Sequence, residues 1–573
     1  MIGWTSSRVI VSLAGCVALS GCASASTSRP GSLLGARAPD TPDAMRARAV
    51  HLLNRLTFGP RPGDVDRVLR TGVERWIDRQ LHPESIVDSA GAQALAGCAA
   101  WTQPLDTAVA SASVISIRVP SSGSMTTARI FVAGGLFGVV TFDSARHAGP
   151  LGFVYLENMR LLGCRLSRAE ASDQQLLEVM TDFWENHFSI YSGKLPSRGA
   201  IVEWDRAVIR PHALGRFRDL LGEVARSPAM LTYLDNAVSA ADPLHETLAK
   251  TQGPFASGVV PVPNQQRGLN ENYARELLEL HTLGADGGYT QADVVDVARA
   301  LTGWTHSVAQ PEPRMAATRA VFWFDSAAHD ADAKQVLGHA LAGGRGLADG
   351  EEVLDILARH PSTARFIAHK LAVRFVSDTP PEALIERAAA TFRRTDGDIR
   401  EVVRTIVTSP EFLSPDTYGV KVKTPVELVL STRRALAAPV DTLAEVVDLL
   451  VRLSQPPFGR QSPEGWPQTG TPWMNAGAVY ERVKIAVRVG EGEVPTIPVE
   501  RWPYWSALVN QPFDTQVDGV IRTLLNGRAS PETRVVLADV RAKSGDADDA
   551  QARELRLREL IALALGSPEF QRR

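Results

Sequence analysis

Apolar side chains recur three and four positions apart along most of the chain, which is the spacing that lets one face of a helix meet a core. The pattern predicts helices over residues 174–188, 214–226, 270–283, 291–302, 350–359, 363–376, 382–394, 398–407, 425–437, 441–453, 515–525 and 551–565. Nearer the start, Val65, Val68 and Leu69 share one helical face, and Val73, Trp76, Ile77 and Leu81 share another. Thr71-Gly72 separates the two, and Pro83 stops the second. Between them and residue 172 the period changes. Residues 113–119 and 129–133 alternate or carry β-branched runs, and Gly134-Gly135 can turn the latter into 136–142. The fold class expected is therefore mainly α: a large multi-helical body with a small β insertion at about 110–156, inside a broader insertion at about 84–170, and a short strand near 319–324. Pro and Gly crowd 455–475 and 493–503, where Trp466, Trp473, Trp502 and Trp505 would pin long loops to the core. A Ser-Pro pair followed two residues later by an apolar side chain recurs at Ser227, Ser409 and Ser567, as a helix cap, a first-turn proline and a plug.

The first residues do not fit that body. Arg8 is followed by an apolar run, Val9 to Ala18, and then by Leu19-Ser20-Gly21-Cys22. This order reads as a signal peptide over 1–21 with a lipobox, in which small residues suit a narrow protease and the Cys22 thiol receives lipid. Leu13-Ala14-Gly15-Cys16 is a second candidate, but it leaves only about five apolar residues after Arg8, too short an h-region. The apolar run is also shorter than the roughly 18 residues needed to span a bilayer. Residues 22–45, rich in Ser, Ala, Pro and Gly, read as a lipidated flexible tether, and 46–573 as one large helical domain. Ala23 after the lipidated cysteine favours an outer membrane, where the cell has one.

The formal net charge of −3 becomes −4 once Arg8 is removed with the leader. Such near-neutrality gives no basic surplus for a phosphate backbone, so nucleic acid is not an expected partner. Only Cys98 and Cys164 remain in the mature body. An oxidising compartment lets them form a disulfide, and two buried thiols is the other reading.

Three segments are denser in polar and aromatic groups than packing needs. In 182–188, His187 sits near the centre of an apolar arc with Leu176, Met180, Phe183 and Trp184, while Glu178, Asp182 and Glu185 point the other way. In 270–281, Tyr273, Ala274, Leu277, Leu280 and His281 form the apolar arc, with Asn270 inside it and Asn272 and Glu276 at its edge. Glu276 and His281 are five apart, unlike the pairing of a zinc-protease helix. The plain reading is an αα-hairpin whose second helix is capped by Thr290 and Asp293. The sharper reading gathers His187, Asn270, Glu276 and His281 in one polar pocket for acid–base chemistry. In 324–334, His329, Asp330 and Asp332 form the best local ligand set for a divalent metal ion, though at no zinc-finger or EF-hand spacing. GxSxG, Walker A, HExxH and CxxC motifs are missing, which removes the common signatures of serine hydrolases, P-loop enzymes, zincins and c-type cytochromes.

His51-Leu-Leu-Asn-Arg-Leu-Thr-Phe-Gly59, Phe183-Trp-Glu-Asn-His-Phe188 and Asn270-Glu-Asn-Tyr-Ala-Arg-Glu276 together resemble a bacterial family, domain of unknown function 1800. Gly287-Gly-Tyr-Thr290 through Leu301-Thr-Gly-Trp304, His329-Asp330 with Lys334, and Ser409-Pro-Glu-Phe412 extend the likeness from about His51 to the C-terminus, with 84–170 fitting less well. The resemblance implies an exported, mostly helical protein with no assigned catalytic residues. It also implies a working partner resembling secreted sulfatases, of the domain of unknown function 1501 type. Two functions remain: an envelope lipoprotein acting as an accessory or binding protein, or an envelope hydrolase using a metal or acid–base pair.

Overall fold

The computed structural model describes residues 41–573 except 105–115, 119–124, 133–134, 144–149, 195–198, 253–267, 308–319, 441–442 and 545–548. The leader, Cys22 and the tether up to residue 40 lie outside the described residues. The body begins earlier than residue 46. Thr41 accepts the Ala44 N–H at 3.2 Å and Pro42 takes the first helical position, so a helix runs Pro42–Leu56. A cap, a first-turn proline and Asp43 together start a helix even in a stretch of tether-like composition.

Helices dominate the rest of the described chain, as their spacing predicts. The Ser-Pro elements open the short helices Pro228–Tyr233, Pro410–Leu413 and Pro568–Gln571, with Ser227, Ser409 and Ser567 each accepting a first-turn N–H. Met230, Phe412 and Phe570 are the buried plugs. The Thr290 cap is a full capping box, with Asp293 bonding back to the Thr290 N–H.

The β content is small. Ser116–Arg118, Met125–Val132 and Gly135–Asp143 make an antiparallel three-stranded sheet. Trp304–Ser307 pairs with Val321–Phe324, and Lys334–Val336 with His339–Leu341. The expected insertion does not stay β to residue 156, because Pro150–Ala171 is a 22-residue helix. Its first half is apolar on several sides, so neither the helical nor the strand period stands out in the sequence. A disulfide joins Cys98 to Cys164 on that helix, Cα to Cα 6.1 Å, and Leu95, Trp101 and Val202 pack beside it. Elsewhere one continuous core runs from the first helix to Phe570. The C-terminal segment is sewn onto the strand-like stretch before helix Pro425–Ala435 by main-chain bonds: the Lys423 N–H donates to Gln571 O at 3.0 Å, and the Arg573 N–H donates to Lys421 O at 2.8 Å. Among the described residues no helix is long and apolar enough to cross a membrane.

Candidate functional site

Helix Gln175–His187 buries both faces. Leu176, Met180, Phe183 and Trp184 enter the core as their spacing requires. The opposite, acidic face meets cations instead of solvent. Glu178 Oε1 takes Arg210 Nη1 at 2.7 Å and Arg168 Nε at 3.2 Å, and Arg210 also grips Asp205 at 2.8 and 2.9 Å. Glu185 is ion-paired with buried Arg165, and burial pushes its carboxyl up against that pull. A buried network of this sort is tightly coupled to folding, since removing one partner strands the other.

His187 ends the helix with its ring in the interior. Its Nε2 donates to the main-chain oxygen of His281 at 3.1 Å, which fixes the proton on Nε2 and leaves Nδ1 with no partner among the described residues. His281 lies in a π-helical turn, Leu277–Leu283, and neither of its ring nitrogens has a hydrogen-bond partner among the described residues. Burial drives His187 well below the ordinary imidazole range and His281 down to about 3, with Lys370 adding repulsion to both. Burial in turn lowers the Lys370 ammonium to about 8. The two imidazoles are thus neutral at physiological pH, walled by Phe188 at 5.1 Å and Tyr273 at 6.3 Å from the His281 ring.

The other half of the expected pocket lies elsewhere. Asn270 accepts the Asn272 N–H at 2.9 Å and reaches Asp235 O at 3.3 Å, so it shapes the entry to helix Asn272–Glu276. Glu276 is half-buried, and burial together with Glu279 raises its carboxyl. Its charge is felt by Tyr233, whose hydroxyl donates to Gln461 O at 2.8 Å. The structure brings His187 and His281 together and sets Asn270 and Glu276 apart from them.

The 325–334 loop is also split. His329 turns inward, with Nδ1 at 2.9 Å from Thr302 O and Nε2 at 3.5 Å from Asp349 Oδ2. Asp330 receives Arg299 through Nε at 2.8 Å and Nη2 at 3.1 Å. Lys334 Nζ donates at 2.8 Å to Asp349, to Asp330 O and to Asp332 O. Burial opposes charge on both carboxylates, yet these partners hold Asp330 and Asp349 below the usual carboxylate range.

The imidazole that does face Asp330 and Asp332 is His245, which no sequence spacing marks as a ligand. Its Nδ1 is 2.7 Å from Asp332 Oδ2 and 3.8 Å from Asp330 Oδ2. The main-chain bridge between Thr247 and Asp330 brings it there. His245, Asp330 and Asp332 place one ligand atom each within 4.8 Å of one another. His329 is not in that set. Because Arg299 donates to both oxygens of Asp330, a divalent ion bound here would share that carboxylate with a guanidinium.

A family described as "Protein of unknown function (DUF1800)" matches residues 51–572. The chain belongs to the DUF1800 family. No curated protein and no solved structure matches it. The DUF1800 match takes in the histidine pair, the Asp330 network and the insertion alike.

Proposed function

We propose that this DUF1800 protein is an exported, lipid-anchored envelope protein that works by binding, as an accessory to a secreted partner. The observation that carries the reading is closure. His187, His281 and His329 are each 2% exposed or less, and their neighbours are packed side chains and main-chain carbonyls, not a cleft. Acid–base catalysis needs a titrating group within reach of substrate. The lipobox at Cys22 supports the address, and the sulfatase-like partner of the 1501 type rests on the family resemblance alone.

The test is metabolic labelling of the full chain with a radioactive fatty acid, followed by cross-linking and affinity purification from native membranes. Label that is lost in Cys22→Ala, together with a stoichiometric secreted partner, supports the reading. An unlabelled chain, or a labelled chain that is always purified alone, counts against it. A second reading, a metal-dependent hydrolase, is favoured by the grouping of His245, Asp330 and Asp332. It requires zinc or manganese to bind and to raise the melting temperature of wild type but not of His245→Ala.

A further inference from the structure

A cleft of about 230 Å³ opens between helix Pro42–Leu56, the turn at 60–66, helix Pro425–Ala435 and the segments 522–528 and 569–572. Its wall is cationic although the whole chain is near neutral. Two of the cations are already engaged: Arg46 pairs with Asp66 at 3.2 Å, and Arg61 donates to the carbonyls of Glu170 and Ala171. Lys423, Arg522, Arg528 and Arg572 are different. None of these four has a carboxylate oxygen within 4.0 Å among the described residues. The carboxylate of Glu569, on the same wall, attracts Arg528 from beyond ion-pair distance but is held by the Ser530 N–H at 2.7 Å and the Thr533 hydroxyl at 2.9 Å.

We propose that this cleft binds a small polar molecule through a phosphate or sulfate group on it. Lys423 is the central observation. It is 4% exposed, and its ammonium has no hydrogen-bond acceptor among the described residues; it lies over the Phe570 ring face at 4.0 Å from the centroid, and the carboxylate that attracts it, Glu427, is beyond ion-pair distance and already held by Arg374 and Arg573. Leaving a buried ammonium so poorly matched is costly unless an anion completes its shell. Burial lowers it to about 7, and an adjacent oxyanion would restore its charge. Two kinds of donor then converge: a point charge at depth and guanidinium forks at the rim, a combination suited to a tetrahedral oxyanion. The cleft is roomier than a bare ion needs. Asn54, Thr523 and Tyr504 on its wall offer hydrogen bonds and a ring face for a hydroxyl-rich remainder. The proposal stands whether or not Cys22 is lipidated.

The experiment is titration calorimetry on the full-length protein in neutral detergent at physiological salt. The probes are inorganic phosphate, glucose 6-phosphate, glucose, and vesicles of phosphatidylglycerol or phosphatidylcholine. Glucose 6-phosphate is expected to bind and glucose not to. Arg522→Gln, an exposed change that leaves the fold intact, weakens binding by about tenfold, the size of one lost charge-assisted contact. Lys423→Met abolishes it. Binding of phosphatidylglycerol vesicles alone places the same oxyanion on a lipid headgroup. If no phosphate-bearing probe binds, or if Arg522→Gln and a folded Lys423→Met both bind as wild type does, the proposal is overturned.

Discussion

His187 Nε2 meets the main-chain oxygen of His281 at 3.1 Å, and this contact ties helix Gln175–His187 to the π-helical turn Leu277–Leu283. The two rings are chemically alike, yet they contribute differently. His187→Phe keeps the aromatic packing and leaves a buried carbonyl unpaired, a loss of about 1–3 kcal/mol. His281→Phe removes two buried ring nitrogens that have no partner among the described residues, so it is expected to be neutral or stabilising. Urea unfolding midpoints of the two variants should fall on opposite sides of, or at unequal distances from, the wild type. Equal destabilisation would mean that His281 makes polar contacts as costly to lose as that of His187.

Acid should weaken the fold through the same pair. Both imidazoles have folded-state values below the ordinary one, His281 at about 3, so the unfolded chain binds protons that the folded chain refuses. Their contribution is complete above pH of about 6.5 and is lost as the pH falls from there toward the folded values. A melting temperature that declines between pH 7 and pH 5 is expected, with a shallower decline in the doubly substituted His187→Phe, His281→Phe protein. An unchanged slope in that variant would assign the decline to other buried histidines, such as His51.

Lys334 stands between two buried carboxylates and donates at 2.8 Å to Asp349. Lys334→Met fits the space but removes the nearest cation from Asp349, leaving Arg345 at 3.7 Å and His329 at 3.5 Å, and a cost of about 1–3 kcal/mol is expected. Chemical denaturation measures it directly. The double variant Lys334→Met, Asp349→Asn should recover part of the loss, because it restores charge balance, whereas a loss due to packing alone would not be recovered.

Local chemistry explains which features were legible in the sequence. The Thr290–Asp293 box and the Ser-Pro caps are short-range, and the helices flanking them repeat their apolar positions cleanly. The π-helical turn at Leu277–Leu283 was not legible, since a 100° wheel assumes the regular α period. The cations over Glu178 and Glu185 were hidden for a related reason. Arg165 and Arg168 belong to helix Pro150–Ala171, whose apolar residues show no single face. His245 was missed because its partners arrive from a distant loop, with no ligand spacing around it to mark it. The cationic cleft likewise draws its wall from both ends of the chain, so its basic stretches, such as that from Arg46 to Arg61, lie far apart in sequence.

Gly350 gives the sharpest packing test. It lies in helix Leu347–Arg359, where glycine normally costs about 1 kcal/mol relative to alanine. A Cβ built there would collide with three indole atoms of Trp304. That indole is fully buried, has the Phe322 ring at 5.2 Å and lies under the Arg226 guanidinium, so it has nowhere to retreat. Overpacking of a rigid ring costs about 1–3 kcal/mol, which outweighs the gain in helix propensity. Gly350→Ala should therefore lower the melting temperature and quench or shift tryptophan fluorescence. Gly477→Ala is the counterpart: it sits in helix Ala476–Gly490 with its nearest contact at 3.4 Å, and the substitution should be neutral or stabilising. Stabilisation at both sites would mean that helix Leu347–Arg359 stands off Trp304 in solution. Loss at Gly350 alone would fix the close approach of that helix to the strand pair holding Trp304.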